Sequence, residues 1–435
     1  MCNWHTGPDS RGARPHHGAE TLRYTGCTGV GPRMRVLIMT KIFPNRVEPL
    51  SAPFNRQQFA ALSRLCDVEV VATIPWFPGS AVFQRWSPAG RLHAVPSHEH
   101  IEGLRVHHPR SVFVPKVGHG VSGALYAASV AASVWRYRGR VDVLLGSWAY
   151  PDGFAAVLLA ELLGVPSVVK LHGSDMDVVA RMPGPRRCLR WALPRAQRVV
   201  AVSRSLGRSA EELGVRHNRI DIVPNGVDTA RFRPADREAA RARLGVEPGV
   251  ALVLYVGRIE QDKGALDLVR AFGIGKPGLE AAQLVMVGDG TAVAACRRIA
   301  SAMGANVVFK GARPHAEVST WLAACNILAL PSWHEGMPNA VLEALACGRR
   351  VVATSVGGIP DVLTSPTLGV LVPPRDSAAL AAALSDALGA SYDPAAVAAT
   401  AHVPDWERSA SLLHQSLQTA VAERREEQWP CLQIA

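Results

Sequence analysis

Two glutamates on either side of a glycine-containing turn are the first side chains in this sequence that could bind a ligand. Glu335 stands before the turn, and Glu343 stands on the helix that follows it. Gly336 lets the backbone approach a ligand closely. A helix N-terminus offers free amides to a phosphate or a polar sugar, and a carboxylate accepts hydrogens from both hydroxyls of a vicinal diol. The segment therefore predicts a site for a polar, phosphorylated ligand.

Two cations are spaced to meet such a ligand elsewhere in the chain. Arg258 follows Gly257 at the end of an apolar strand, and Lys263 precedes the next helix. Cations beside a helix N-terminus suit a diphosphate. Gly288 and Lys310 also follow short apolar runs, where ligand-binding loops of parallel sheets lie.

The run from Glu335 to Gly348, EGMPNAVLEALACG, resembles the signature of retaining glycosyltransferases of family 4, which have the GT-B fold. The resemblance covers roughly residues 34–421. It implies that Glu335 contacts the donor sugar, that Glu343 holds the ribose and that Arg258 and Lys263 neutralise the pyrophosphate. The remaining donor-binding residues that it implies are Gly257, Gly288, Lys310, Gly336, Met337, Pro338 and Asn339.

The same resemblance implies an acceptor side in the first half of the chain. His172 would touch the transferred sugar or the acceptor hydroxyl, and with Arg258, Lys263 and Glu335 it forms the expected catalytic set. The other acceptor-side residues that it implies are Asn45, Pro53, Phe54 and Asp152. Ser51, Ala52 and Pro53 stand where relatives usually carry glycine, a departure that concerns close approach to the donor phosphates.

A metal site is not expected. Asp175-Met-Asp177 matches a DxD pattern found in another class of glycosyltransferase, but Asp at a helix start is a common cap. We therefore expect no metal and no cofactor, with a nucleotide diphosphate sugar as co-substrate.

These residues must be positioned by an α/β framework of two Rossmann-like, doubly wound domains that face each other across a cleft. Short apolar strands alternate with helical patterns along the chain, and 435 residues exceed one comfortable core. We expect a disordered extension over 1–33, an acceptor-binding domain over 34–223 and a nucleotide-sugar domain over 224–404. A terminal amphipathic helix is expected over 406–421, and the resemblance to family 4 implies that it packs back on the first domain. Residues 75–120 are expected to be an irregular surface excursion.

The charge and the cysteine content of the chain limit the kinds of partner and compartment that we expect. The net charge of +11 and the pI near 9.6 favour anionic partners, and no nucleic-acid module is recognisable. Arg136, Arg138 and Arg140 form either a basic patch for an anionic membrane or a charge complement to a helix C-terminus. Eight scattered cysteines favour a reduced, cytosolic compartment, and no apolar run is long enough for a transmembrane span.

The resemblance to family 4 thus implies transfer of a sugar to a lipid-linked or saccharide acceptor in glycolipid, polysaccharide or cell-envelope glycan synthesis. One alternative is a GT-B sugar-nucleotide epimerase, which needs no acceptor. Another is a non-catalytic sugar-nucleotide binder, motivated by the missing loop glycines. An NAD oxidoreductase is disfavoured because no G-x-G-x-x-G follows the first strand.

Overall fold

A computed structural model describes residues 33–49, 51–80, 88–112 and 122–428. The expected disorder before Arg33 lies outside these residues. Sixteen strands are described: β1 Arg35–Thr40, β2 Asp67–Ala72, β3 Ile74–Trp76, β4 His98–Ile101, β5 Leu104–His107, β6 Arg110–Val112, β7 Val143–Ser147, β8 Ser167–Leu171, β9 Arg198–Ala201, β10 Ile220–Ile222, β11 Leu252–Val256, β12 Gln283–Val287, β13 Val307–Gly311, β14 Ile327–Leu330, β15 Arg350–Thr354 and β16 Gly369–Val372.

Helices alternate with these strands through both halves of the chain. The described α-helices are α1 Pro53–Leu62, α2 Pro88–Arg91, α3 Ser122–Trp135, α4 Phe154–Leu163, α5 Ser174–Asp177, α6 Pro183–Ala192, α7 Arg204–Glu211, α8 Arg237–Leu244, α9 Ala265–Phe272, α10 Val293–Ala302, α11 His315–Ala324, α12 Asn339–Ala346, α13 Ile359–Val362, α14 Ser377–Gly389, α15 Pro394–Ala401 and α16 Trp406–Gln428.

The strands build two open sheets, one from each half of the chain. The first has the order β10-β9-β8-β7-β1-β2-β5-β4 and is parallel except for the edge strand β4. The second has the order β13-β12-β11-β14-β15-β16 and is parallel throughout. Helices cover both faces, so strands such as β1, RVLIMT, are buried almost along their whole length. The carboxyl ends of parallel strands meet at one edge, where loops bind ligands.

The region 75–120 is the clearest departure from expectation. Its described residues, 75–80 and 88–112, are not irregular, because β4 and β5 form a hairpin that extends the first sheet, while β3 and β6 pair separately. The hairpin turns through Glu102 and Gly103, both with positive φ, as a two-residue turn requires. These strands are short and half-exposed, so their hydrophobic alternation is faint. Residues 81–87 and 113–121 lie outside the description.

The chain returns to its first half at the end. Trp406, Leu413 and Leu417 of α16 share a hydrophobic core with Phe59 and Leu62 of α1. α16 therefore covers the face of the first sheet opposite α3 and α4. The helix runs on to Gln428, beyond the expected end at residue 421. Of the described helices, none is long and apolar enough to cross a membrane.

Candidate active site

The loop between β14 and α12 carries the residues that sequence reasoning placed at the donor site. Glu335 lies in this loop, and its carboxylate accepts hydrogen bonds from Lys263 Nζ at 2.8 Å and from Ser332 Oγ at 2.7 Å. Lys263 also donates to the carbonyl of His334 at 3.3 Å. The side chains of Glu335 and Lys263 are only 12% and 19% exposed. One charge-assisted pair therefore joins the α12 loop to the loop before α9.

Arg258 differs from Lys263 in having no carboxylate partner among the described residues, whereas the ammonium of Lys263 is paired with Glu335. It lies exposed in the loop after β11, and its guanidinium forms no hydrogen bond or ion pair with another described residue. Its backbone carbonyl instead accepts from the hydroxyl of Tyr255 at 2.6 Å, which fixes the loop. The guanidinium is thus a cation available to an anionic ligand in the cleft.

His172 follows β8 and lies, on the side of the first sheet, against the loop between β14 and α12. Its ring packs between Phe54, 5.1 Å away, and Trp148, 5.7 Å away, measured between ring centroids. Its Nε2 shares a hydrogen bond of 2.9 Å with Ser147 Oγ. Burial and the nearby ammonium of Lys170 hold the pKa of the imidazole well below its usual value. His172 is therefore neutral at pH 7, with its orientation fixed by aromatic and polar neighbours.

Asp175 positions the loop that carries His172. Its buried carboxylate accepts from the backbone amides of Ala149, His172, Gly173 and Met176 at 2.7–3.2 Å. The amide of Ala149 belongs to the loop after β7, so one carboxylate ties two strand-end loops together. Asp175 thus acts on two loops, beyond the helix cap expected from the sequence.

The two halves of the chain touch at glycines. A Cβ on Gly336 would lie 1.8 Å from the carbonyl oxygen of His172, and one on Gly173 would lie 2.7 Å from the amide nitrogen of Gly336. No larger residue fits either position without moving backbone. A second contact joins Asn225 Nδ2 to Asn339 Oδ1 at 2.9 Å. The loop of Glu335 therefore lies directly against the loop of His172.

These loops enclose a cavity of about 290 Å³ between the two sheets. It brings together most of the residues that the sequence singled out, from both halves of the chain. The expected residues that line it are Phe54, His172, Gly257, Arg258, Lys263, Glu335, Gly336, Met337, Pro338 and Asn339.

Three expected donor-side residues lie beside the cavity without lining it. Glu343 on α12 pairs with His315 Nε2 at 2.7 Å. Lys310 directs its ammonium over the ring of Trp321, 5.3 Å from the centroid. Gly288 packs against the carbonyl of Gly257, where a Cβ would lie 1.8 Å from that oxygen.

Three expected acceptor-side residues serve the local backbone or the core. Asn45 caps its own loop by accepting from the amides of Val47 and Glu48. Pro53 begins α1. Asp152 is fully buried and accepts from the hydroxyl of Tyr126, and burial raises the pKa of its carboxyl to about 7.

Sequence reasoning assigned no role to several side chains that line the cavity. Trp148 has φ 136°, a value that residues with a Cβ rarely adopt, and its indole nitrogen is buried without a partner among the described residues. Its position directly after β7 was the available signal. Asn225, Asp177 and His334 also line the cavity, each next to a recognised motif. No described group of three or more His, Cys, Asp or Glu side chains could hold a metal ion.

Comparison with known sequences adds family information to this geometry. Residues 251–390 match the family described as "Glycosyl transferases group 1", and residues 57–231 match "Glycosyltransferase Family 4". A D-inositol 3-phosphate glycosyltransferase of Arthrobacter sp. is 31% identical over 324 residues, which cover 67% of this chain and 75% of that protein. The chain belongs to the group 1 glycosyltransferases.

One further relative and one solved structure are similar to this group 1 glycosyltransferase. A Bacillus subtilis glycosyltransferase named for teichuronic acid biosynthesis is 29% identical over 357 residues, 81% of this chain and 88% of its own length. The solved structure of Anabaena HepE in complex with UDP has a TM-score of 0.63 at 18% identity, and the match covers 92% of this chain and all of that one. The fold is therefore GT-B, and the chain is a glycosyltransferase.

Proposed function

We propose that this enzyme moves a sugar from a nucleotide diphosphate sugar to an acceptor hydroxyl, with retention of anomeric configuration. The observation that carries the proposal is one cavity lined by Arg258, Lys263 and Glu335 from the second half of the chain and by His172 from the first. HepE, which shares the fold, has been solved with UDP and with UDP-glucose. Retention is what the resemblance to family 4 implies.

The donor's charges have matching partners in the second domain. Arg258 and Lys263 would offset the negative charge that develops on the departing diphosphate, with the amides at the start of α12 as further donors. Glu335 would orient the sugar hydroxyls while Lys263 holds its carboxylate in place. Glu343 would accept from the ribose diol. Most of the catalytic effect would come from positioning and from charge stabilisation.

The acceptor would approach from the first domain. A neutral His172 accepts or donates a hydrogen bond to a hydroxyl without adding charge, and the rings of Phe54 and Trp148 keep it in place. We further propose that the acceptor is lipid-linked or a saccharide, in glycolipid, polysaccharide or cell-envelope glycan synthesis. The basic net charge supports contact with an anionic membrane surface, and the scattered cysteines support the reduced compartment of the cytoplasm.

Turnover with a panel of nucleotide diphosphate sugars tests the proposal directly. Release of free nucleotide should depend on an added acceptor, and the coupling constant of the anomeric proton in the product should report retention. Donor conversion to an epimer without acceptor would support the epimerase alternative. Binding without any turnover on the whole panel would support the non-catalytic alternative.

Two substitutions separate the diphosphate from the sugar. Arg258→Ala should weaken binding of free nucleotide diphosphate by roughly 1.5–3 kcal/mol, because a charge-assisted hydrogen bond is lost. Glu335→Gln should leave that binding nearly intact and lower the transfer rate, because the free nucleotide has no sugar. Calorimetry and single-turnover rates on both variants decide the matter. Equal losses of nucleotide affinity would contradict this placement of the donor.

A further inference from the structure

Three neighbouring helices on one side of the first sheet share an unusual surface. α3 packs against α4, and α4 packs against α6. The three most exposed large apolar side chains among the described residues lie on or beside these helices: Leu162 at 64%, Trp135 at 49% and Val178 at 48%. Leu125 on α3 is a further exposed one. We refer to this surface, formed by α3, α4, α6 and the flanking residues 138, 178, 181 and 195, as the α3–α4–α6 face.

The same face is strongly basic. Its arginines are exposed, and none forms an ion pair with a described residue, whereas many other arginines of the chain pair with carboxylates. Among residues 122–195 Glu161 is the one carboxylate that is exposed and not half-buried or buried. Unpaired cations on one face attract an anionic partner. The arginines are Arg138, Arg181, Arg186, Arg187, Arg190 and Arg195, whereas Arg136 and Arg140 line a separate hollow with Asp67 and Glu69.

Aromatic side chains join the apolar and basic parts of the face. Phe154 and Leu158 of α4 and Trp191 of α6 line a hollow of about 330 Å³. Arg195 stacks over Trp191 and Arg138 stacks over Trp135, both at 4.7 Å from the ring centroid. Indole rings with adjacent cations are typical of side chains at a membrane–water interface.

The chemistry of the face favours a lipid surface over a soluble polyanion. A nucleic acid or an acidic glycan would satisfy the arginines but would leave Leu125, Leu162 and Val178 in water. An anionic bilayer satisfies both, because headgroups meet the cations while aliphatic side chains enter the acyl boundary. We propose that the α3–α4–α6 face docks this enzyme on an anionic membrane. The proposal deepens the membrane partner of the proposed function by assigning its surface.

Docking on this face would bring the cavity close to the lipid headgroups. Val178 is both half-exposed on the face and part of the cavity lining, together with Ser174 and Asp177. A hydroxyl carried by a membrane-borne acceptor would then have a short path to His172. The geometry thus connects the docking surface with the acceptor side of the cavity.

Vesicle co-sedimentation with the full chain tests the proposal. The protein should bind vesicles of phosphatidylglycerol and phosphatidylcholine at low salt and bind pure phosphatidylcholine weakly. The variant R186S/R187S/R190S should bind the anionic vesicles roughly 100-fold more weakly, given the usual contribution of an arginine near a charged surface. The matched control R243S/K276S/R298S removes the same charge from exposed positions in the second domain and should bind like the unaltered enzyme.

A second variant examines the apolar part of the face. Leu162→Ser changes an exposed side chain, so its melting temperature should not fall, yet its vesicle binding at high salt should weaken several-fold. Equal losses for the α6 triple variant and its control would overturn the proposal. So would undiminished vesicle binding by Leu162→Ser at high salt, since the face would then act as a purely electrostatic polyanion site.

The vesicle-binding experiment tests membrane docking independently of the turnover experiment that tests sugar transfer. Vesicle binding through α6 in a protein that turns over no nucleotide sugar would leave the docking proposal standing and contradict the proposed function. Acceptor-dependent turnover in solution without vesicle binding would do the reverse.

Discussion

At the scale of single residues, the carboxylate of Glu343 depends on a partner outside the helix that carries it. His315 Nε2 and Glu343 Oε1 are 2.7 Å apart, and the ring of Phe232 packs against His315 with centroids 4.9 Å apart. His315 begins α11, so a second helix holds the carboxylate in one orientation. One oxygen of Glu343 is occupied, which leaves the other for a ligand hydroxyl.

Replacement of His315 should therefore affect the ribose selectively. In His315→Ala, Glu343 is free to rotate, and binding of a ribonucleoside diphosphate should weaken by about 0.5–1.5 kcal/mol. Binding of the 2′-deoxy counterpart should change less, because it presents no diol. Calorimetry with both ligands measures the difference, and Ser319→Ala on the same helix is the control. An identical loss for both nucleotides would mean that His315 acts on something other than the ribose contact.

At the scale of secondary-structure elements, Asp152 links α3 to the turn that begins α4. It accepts from the hydroxyl of Tyr126, and burial raises the pKa of its carboxyl to about 7. The folded state therefore keeps the carboxyl protonated between about pH 4 and 7, where the unfolded state is ionised. The stability that this one protonated carboxyl contributes is lost as the pH rises through this window, and none of that contribution remains above it.

Asp152→Asn should remove this pH dependence. Relative to the variant, the unaltered enzyme should lose stability by up to about 1.4 kcal/mol per pH unit between roughly pH 4 and 7. The two should be most alike near pH 4. Urea denaturation at several pH values measures the difference. Parallel stability–pH curves for the two proteins would show that Asp152 is ionised in the folded enzyme.

The backbone just before α1 shows how the loop at residues 51–53 folds without glycine. Ala52 has φ 41° and ψ 57°, so the backbone has a left-handed conformation at a position where the resemblance to family 4 leads us to expect glycine. A Cβ in this conformation costs roughly 1–2 kcal/mol. The loop thus has the left-handed conformation that glycine favours, and Ala52 adopts it at a cost in conformational energy.

Ala52→Gly should therefore raise the stability of the enzyme. The relief of strain exceeds the extra chain entropy of glycine, for a net gain of about 0.5–1 kcal/mol. Ser51→Gly, at a position without positive φ, should bring no gain. Thermal unfolding of both variants measures the effect, and a lower melting temperature for Ala52→Gly would contradict the assigned strain.

The secondary-structure elements also differ in how well the sequence predicts them. Buried parallel strands such as β1 and β14 are continuous apolar runs between turn residues, so their places were predictable to within a few residues. The hairpin of β4 and β5 was not, because its alternation is weak and Glu-Gly is a poor turn signal. Within the site, Glu335 and Lys263 were predictable from motifs. The pairing of Glu343 with His315 and the backbone of Trp148 depend on distant packing, which no local pattern records.

At the scale of the whole molecule, the cavity exists because two glycines let the halves of the chain approach. Gly336→Ala would place a methyl group against the carbonyl of His172 and hold the halves apart. The transfer rate should fall by at least tenfold, because a displacement of about 1 Å can cost 100-fold. Nucleotide binding should change little, since its predicted contacts all lie in the second domain.

Gly389→Ala is the matched control, because no atom lies within 4 Å of its added Cβ. Single-turnover rates and calorimetry on both variants provide the comparison. A Gly336→Ala enzyme with a normal transfer rate would show that the reaction does not need this approach.

The return of α16 to α1 has a consequence for the order in which the enzyme is made. The core of the first domain includes Trp406 and Leu417, which the ribosome adds only after nearly all of the second domain. At ordinary translation speeds roughly 10–40 s pass between synthesis of the first domain's strands and synthesis of α16. During this time the apolar side of α1 and of the first sheet remains exposed. Throughout that interval the nascent first domain offers an unfinished surface to chaperones, and the second domain, although begun later, is the first to have all of its helices and strands synthesised.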